Sequence, residues 1–301
     1  MNIRQINLLL WSDLIRKIKS YKLNSNYKTL RLWGYKFLKK FTSSPMLDSE
    51  IILSIVLGCD RSDILAFPEK PVSNINSQKF KDLISLRKNG MPIHYMLGNK
   101  EFYSIKFIVS SDTLIPRPET EVLVDTVLSL FSEQEKINIL ELGTGCGAIA
   151  LTLKKLRPSY TITATDKNKK TLNIAKKNAD ILGLNINFVM SDWFNKIKYQ
   201  DYDVIISNPP YVEAREMESN RNLAYEPKIA LYGGKDGLSE IKLIIKESFF
   251  YLKGGGCLII EHGSSQASQV KQITIENNFI FCKTLQDLAK LDRGLLAKKP
   301  I

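Results

Sequence analysis

The stretch Asn208-Pro209-Pro210-Tyr211 carries the most specific chemistry in this chain. It follows Val204–Ser207, an apolar run that reads as a strand, so the loop should sit at a strand's end. Two successive prolines stiffen a loop and remove two backbone donors, which leaves carbonyl oxygens free to face outward. The Asn208 side-chain oxygen and the Pro209 carbonyl can then accept both hydrogens of one planar NH2 group, with Tyr211 against its flat face. An amide or aryl amine nitrogen is a weak nucleophile because its lone pair is delocalised. Each hydrogen bond contributes only about 0.5–1.5 kcal/mol net, whereas correct orientation is worth about 7–11 kcal/mol. Positioning should therefore dominate, and no strong base is required. The plain alternative for such a loop is a rigid turn.

A second motif lies upstream, in Glu141-Leu142-Gly143-Thr144-Gly145-Cys146-Gly147-Ala148, after an apolar strand and at the start of a helix. Glycines there permit a tight turn and close approach of a ligand to the backbone. Gly143, Gly145 and Ala148 satisfy the dinucleotide spacing G-x-G-x-x-A. Glu141, Gly143, Gly145 and Gly147 satisfy the E-x-G-x-G-x-G of class I methyltransferases, so the loop alone leaves both open. Asp166 ends the next strand, close to the roughly 20-residue separation of an acid that grips ribose hydroxyls; its alternative is a helix N-cap. Trp193, just past the third strand, can cover an adenine face or serve as a core residue, and Asp192 could accept an exocyclic amine. Joined to the proline loop, these residues point to S-adenosylmethionine and methyl transfer to nitrogen.

These residues need elements to position them. From about residue 137 strands alternate with helices: Ile137–Leu142, Thr161–Thr165, Ile186–Met190, Val204–Ser207, Cys257–Glu261 and Phe279–Lys283 as strands, with Ala148–Leu156, Lys170–Leu182 and Ser239–Leu252 among the helices. That order predicts an α/β fold with a largely parallel sheet, the class I (Rossmann-like) methyltransferase arrangement. Residues 1–90 read as a helical domain: Leu8, Trp11, Ile15 and Ile18 fall at helix spacing, a polar stretch runs from Ser20 to Lys28, and Asp48–Leu57 and Gln78–Lys88 are further helices. Residues 91–115 read as a β connector, with hairpin alternation over Glu101–Val109 and a bend at Pro116-Arg117-Pro118. The catalytic domain is expected over 116–301.

The net charge of +12 is dominated by lysines scattered along the chain, and we read it as compositional bias rather than a nucleic-acid footprint. Four cysteines, Cys59, Cys146, Cys257 and Cys282, form no C-x-x-C pair and read as free thiols of a reducing compartment. His94 and His262 stand far apart without an H-E-x-x-H, which argues against a zinc site, and His262 after an apolar strand reads as structural. No run of 18 apolar residues is present, so no membrane span is expected, and the first residues lack a signal-peptide core. A cytoplasmic protein is the expectation.

At this level the sequence resembles the bacterial release factor glutamine methyltransferases. The proline loop is shared with adenine-amine DNA and RNA methyltransferases, which leaves those as the alternative. More specific are Gly90-Met91-Pro92-Ile93-His94-Tyr95, then Gly98, Glu101-Phe102-Tyr103, and Thr113 through Pro116-Arg117-Pro118-Glu119-Thr120-Glu121. Glu226-Pro227, Ala230-Leu231, Gly233-Gly234, Asp236-Gly237-Leu238 and Leu258-Ile259-Ile260-Glu261-His262-Gly263 also fit. The likeness runs from about Leu47 to Lys299. It implies methylation of the side-chain amide of the Gln in the Gly-Gly-Gln motif of class 1 peptide chain release factors, without need of nucleic acid or metal. It implies cofactor contacts from Gly143, Thr144, Gly145, Cys146 and Gly147, from Asp166, Trp193 and Asn208, and catalytic and substrate contacts from Asn208, Pro209, Pro210 and Tyr211. It also implies a small N-terminal helical domain that helps recognise the release factor. Residues 1–45 exceed the usual start of that family and are read as an atypical extension. Arg117 is read either as a cover over the active site or as the partner of a surface carboxylate. Leu291 to Gly294 receives no role.

Overall fold

The computed structural model describes residues 25–198, 201–219 and 223–301. The sequence reading over Leu8 to Ile18 lies outside them. The chain divides into two compact units, Met1–Met96 and Leu97–Ile301, so the boundary falls a few residues beyond the one expected at 90.

Helices α1 (Tyr27–Leu38), α2 (Pro45–Leu57), α3 (Arg61–Ala66) and α4 (Asn74–Lys88) build the first unit, and α5 (Ile93–Leu97) closes it. Asn26 caps α1 reciprocally: its side chain accepts from the Thr29 amide at 2.8 Å while its own amide donates to Thr29 Oγ1 at 2.9 Å. Proline at the first turn and left-handed Gly58 past the end delimit α2. Tyr27, Leu30 and Leu38 from α1 are buried with Ile52, Leu53, Phe80 and Ile84. Helix α1 corrects the reading of residues 1–45 as a mere extension, because its apolar face is part of this core. The polar stretch read from Ser20 to Lys28 also ends early, since α1 already begins at Tyr27. Its lysines and the central Gly34 obscured the periodicity. That glycine allows the helices to approach, for a Cβ there would lie 2.3 Å from Ser49 Oγ and 2.9 Å from Phe80 Cζ. The buried Asp48 and the half-buried Arg87, 2.8 Å apart, tie α2 to α4.

The second unit opens with an antiparallel hairpin, β1 (Asn99–Phe102) and β2 (Ile105–Ile108). Tyr103 and Ser104 turn it with φ of 52° and 57°, the positive pair a two-residue hairpin turn requires. A 3-10 turn over Pro118–Thr120 leads into α6 (Glu121–Leu130). Then come β3 (Asn138–Leu142), α7 (Ala148–Leu156), β4 (Thr161–Asp166), α8 (Lys169–Leu182), β5 (Asn187–Met190) and β6 (Tyr202–Ser207). Short helices α9 (Ala214–Ser219) and α10 (Lys228–Leu231) precede α11 (Ser239–Tyr251), β7 (Leu252–Glu261), α12 (Ala267–Glu276), β8 (Phe281–Gln286) and β9 (Asp292–Lys298).

The seven strands lie in the order β5-β4-β3-β6-β7-β9-β8. Six run in one direction, and β9 runs against them between β7 and β8. Strand β9 was not foreseen: Leu291 to Gly294 had no role, yet Gly294 through Ala297 are buried in it. Gly294 fits because a Cβ would approach the Ile260 carbonyl to 3.0 Å. Strand β8 begins two residues later than the sequence suggested, and β7 begins at Leu252. From β3 the chain builds outward through β4 to β5, then returns to place β6 on the other side of β3. A ligand crevice belongs at such a switch point, outside the strands' carboxyl ends.

Gly34→Ala should destabilise the helical unit by about 1–3 kcal/mol through overpacking, measured by urea unfolding followed by circular dichroism. A change below about 0.5 kcal/mol, the size of an ordinary surface substitution, would remove α1 from the core.

Candidate active site

Register brings the two predicted motifs together. Leu142 at the end of β3 pairs with Ser207 at the end of β6, and Ser207 Oγ donates to the Leu142 carbonyl at 2.8 Å. The glycine loop and the proline loop therefore leave the sheet side by side. Between them lies a cleft lined by Gly143, Gly145, Asp166, Trp193, Asn208 and Pro210, with Pro227, Ile229 and Ala230 also on its wall.

Gly145 has φ +58°, and a Cβ there would meet nothing within 4 Å, so the space beside this backbone is open to a ligand. Gly147 serves the helix instead: its Cβ would lie 2.8 Å from Leu151 Cδ1. Thr144 also turns inward, donating its hydroxyl to Glu141 Oε2 at 2.6 Å, where the Ala150 amide arrives at 3.2 Å. Burial pushes Glu141 up to about 7, against the hydrogen bonds from Thr144 and Ala150. Cys146 is buried and its thiol is pushed up to about 12 by desolvation, which keeps it protonated and inert. Thr144, Cys146 and Gly147 thus shape the loop rather than line the cleft. Asn178 locks it: its Nδ2 donates to the Cys146 carbonyl at 2.9 Å and to the Ile108 carbonyl at 3.1 Å, and its Oδ1 accepts the Ile108 amide at 2.8 Å. One buried amide joins hairpin to glycine loop, a role no spacing in the sequence announces.

Asp166 is not the N-cap of α8; Asn168 is, accepting from the Lys170 amide at 2.9 Å. Asp166 faces the cleft and accepts from the Asn168 amide at 2.9 Å and the Gly145 amide at 3.2 Å. Desolvation raises its pKa, opposed by those amides. Trp193 serves both readings, since it packs on the core beneath β6 and β7 while lining the cleft. It sits at φ 45°, and its indole N–H donates to Glu240 Oε2 at 2.6 Å, so the ring cannot turn freely.

Asn208 Nδ2 donates to Thr120 Oγ1 at 3.1 Å, which leaves Oδ1 as the atom able to accept. Among the described residues no hydrogen bond reaches the Pro209 or Pro210 carbonyl. Pro209 and Tyr211 stand outside the lining of the cleft. Tyr211 is anchored at both ends: its hydroxyl donates to Glu261 Oε1 at 3.0 Å and its carbonyl accepts from Gln266 Nε2 at 3.1 Å. Burial, then the Glu261 charge, hold the phenol far above its ordinary range, so it stays protonated. Burial pushes Glu261 itself up to about 7, opposed by the Thr120 and Tyr211 hydroxyls and Arg293 and reinforced by Glu119.

Arg117 neither covers the cleft nor meets a surface carboxylate. Its guanidinium pairs with the buried Glu226, which also accepts the Ile115 amide at 3.3 Å. That carboxylate fastens the proline bend to the segment carrying Pro227, Ile229 and Ala230. His262 is fully buried, its Nδ1–H donating to the Gly263 carbonyl at 2.8 Å, and desolvation lowers its pKa. Among the described residues there is no group of three His, Cys, Asp or Glu side chains able to hold a metal. None of the described helices is long and apolar enough to cross a membrane.

Fold and site together define a class I methyltransferase. The family model for the methyltransferase small domain matches residues 119–225, and that for the PrmC N-terminal domain matches residues 29–98. A Coxiella burnetii protein named release factor glutamine methyltransferase is 39% identical over 263 residues, covering 87% of this chain and 95% of that one. An Escherichia coli protein of the same name is 38% identical over 259 residues, covering 85% and 93%. A methyltransferase from Pyrococcus furiosus shares the fold at TM-score 0.51, with 20% identity over 67% of this chain and 92% of that one. The chain belongs to the release factor glutamine methyltransferase family.

Glu141 gives a pH-dependent check on the glycine loop. Its folded pKa is raised, so its contribution to stability is full below the unfolded value and is lost as pH rises toward about 7. Across that window the melting temperature of the wild type should fall relative to Glu141→Gln, which cannot titrate. Parallel curves would show that Glu141 is not buried under the loop.

Proposed function

We propose that this chain transfers a methyl group from S-adenosylmethionine to the side-chain amide nitrogen of the glutamine in the Gly-Gly-Gln motif of class 1 release factors. The observation that carries the reading is Asn208 in the wall of the glycine-lined cleft with its Oδ1 left to accept, followed in the same loop by a Pro209 carbonyl that no hydrogen bond among the described residues reaches. The residues present fit the cofactor: Asp166 offers a carboxylate to ribose hydroxyls, the backbone at Gly143 and Gly145 admits close approach, and the Trp193 ring offers a flat face for adenine. When bound, the cofactor supplies an electrophilic methyl carbon on a sulfonium.

The chain's own residues do the rest. Asn208 Oδ1 and the Pro209 carbonyl accept the two amide hydrogens, Pro210 keeps the turn rigid, and Tyr211 braces the loop through Glu261 and Gln266. An amide held by both N–H bonds presents its nitrogen lone pair in one direction. That alignment replaces a general base, because the nitrogen sheds its proton to water once the new N–C bond has formed. Neutral acceptors suit this task, since a charged one would bind the ground state without improving the aim. The N-terminal helical domain helps recognise the release factor, and neither a metal nor nucleic acid takes part.

The direct test incubates the protein with methyl-labelled cofactor and an intact class 1 release factor. Label should appear on the Gly-Gly-Gln glutamine; label in DNA or RNA with none in protein would favour the adenine-amine alternative. Asn208→Ala should lower turnover by about a hundredfold or more, the scale of lost alignment, while binding of S-adenosylhomocysteine by calorimetry is partly retained. Tyr211→Phe should do less, because the ring remains. Equal, mild losses in both would contradict the positioning account.

A further inference from the structure

Trp193 is fixed at its backbone and at both ends of its ring. The backbone sits at φ 45°, a left-handed conformation that a non-glycine residue keeps only where its surroundings impose it. Ser191 imposes it. The buried Ser191 hydroxyl donates to the Trp193 carbonyl at 2.8 Å and accepts the Lys196 amide at 3.0 Å, while the Ser191 amide donates to the Asp166 carbonyl at 3.1 Å. A Cβ on Gly143 would lie 3.4 Å from Trp193 Cζ3, so the six-membered ring rests against the glycine loop. At its other end the indole N–H donates to Glu240 Oε2 at 2.6 Å. The ring therefore spans from the glycine loop to helix α11.

Glu240 has a rigid mount. It lies in the first turn of α11, where the positive end of a helix suits a carboxylate. Ile241, Ile244 and Ile245 of the same helix are buried in the core. The turn before the helix is pressed on the proline loop: a Cβ on Gly233 would lie 2.7 Å from the Pro210 carbonyl oxygen, and one on Gly237 would collide with the Tyr211 carbonyl. The Ser239 amide donates to the Gly233 carbonyl at 2.9 Å, and the Gly233 amide to the Val212 carbonyl at 3.0 Å. These two glycines thus let the loop that carries Asn208 set where α11 starts, and with it where Glu240 stands.

An indole N–H can only donate, and a buried one needs an acceptor. Without Glu240 the N–H is satisfied by turning the ring toward water, which takes its flat face out of the cleft wall. The task requires a lone pair in place and no charge. We propose that Glu240 is a positioning residue for the cofactor: its carboxylate fixes the Trp193 indole in the orientation that presents a flat face to the adenine of S-adenosylmethionine. The assignment rests on the reading of the cleft as the cofactor site given under Proposed function.

The test is calorimetric titration with S-adenosylhomocysteine. Glu240→Ala should raise Kd about tenfold, the lower end of what a hydrogen bond to a charged group contributes, and the same factor should appear in KM for S-adenosylmethionine rather than in kcat. Glu240→Gln, whose amide oxygen still accepts, should recover most of the binding. In a Trp193→Phe background, which has no N–H to hold, Glu240→Ala should cost nothing further. In the free protein, near-ultraviolet circular dichroism, which reports fixed aromatic rings, should weaken in Glu240→Ala and recover in Glu240→Gln. A wild-type Kd in Glu240→Ala, an equal loss in the Trp193→Phe background, or an unchanged spectrum would each overturn the proposal. Should Glu240→Ala fail to fold, Glu240→Leu, which keeps the bulk and offers no acceptor, takes its place; a Kd equal to that of Glu240→Gln would then overturn it. Absence of S-adenosylhomocysteine binding by the wild type itself would instead reject the cofactor reading and is separable from all of these results.

Discussion

The hydrogen bond from Asn208 Nδ2 to Thr120 Oγ1 decides which atom of that side chain looks into the cleft. An asparagine amide presents either a donor or an acceptor to a ligand, and only the acceptor can hold an amide NH2. The proline pair then fixes the second acceptor, because Pro209 and Pro210 have no N–H with which to recruit their neighbours and their ring constraints hold the chain extended. Both acceptors are neutral and rigid. Such a site works by geometry, and geometry is the term that matters most for a nitrogen with little intrinsic nucleophilicity.

The sheet makes that geometry available. Pairing of Leu142 with Ser207 ends β3 and β6 at the same level, so the glycine loop and the proline loop face one crevice without long insertions. Buried polar side chains then hold the loops: Glu141 under the glycine loop, Asn178 between that loop and the hairpin, and Glu226 against Arg117. Glu141 and Glu261 both titrate near neutrality because burial opposes their charge. Acids kept in that condition are a cost to stability that the loops they organise offset in function.

Much of this was legible in the sequence. The strand–helix alternation placed six of the seven sheet strands, and the two loops were assigned to strand ends where they are found. Periodicity could not show β9, because Gly294 to Ala297 are all buried: successive residues point to opposite faces, both faces are covered, and the apolar–polar alternation is lost. Nor could it show α1, whose lysines and Gly34 break the apolar stripe that nevertheless packs against Phe80 and Ile84. The lining of the cleft was foreseen in part: Gly143, Gly145, Asp166, Trp193 and Asn208 reach it, whereas Thr144 and Cys146 face the protein interior. Of the supporting residues, Asn178, Glu240 and Gln266 were not singled out, and Thr120 and Glu226 were named only within motifs, without a role. Each acts on a partner distant along the chain, as Thr120 does on Asn208, and a single sequence contains no signal for such pairs. Glu261 was visible as part of a motif, but its contact with Tyr211 was not.

The central claim concerns two hydrogen bonds, and a crystal structure of this chain with S-adenosylhomocysteine and a glutamine-containing Gly-Gly-Gln peptide would measure them. The account requires the amide nitrogen to lie within about 2.7–3.2 Å, normal hydrogen-bond range, of both Asn208 Oδ1 and the Pro209 carbonyl, and to point at the cofactor's sulfur. A glutamine amide bound elsewhere, or one that meets the Asn208 NH2 instead of its oxygen, would contradict it.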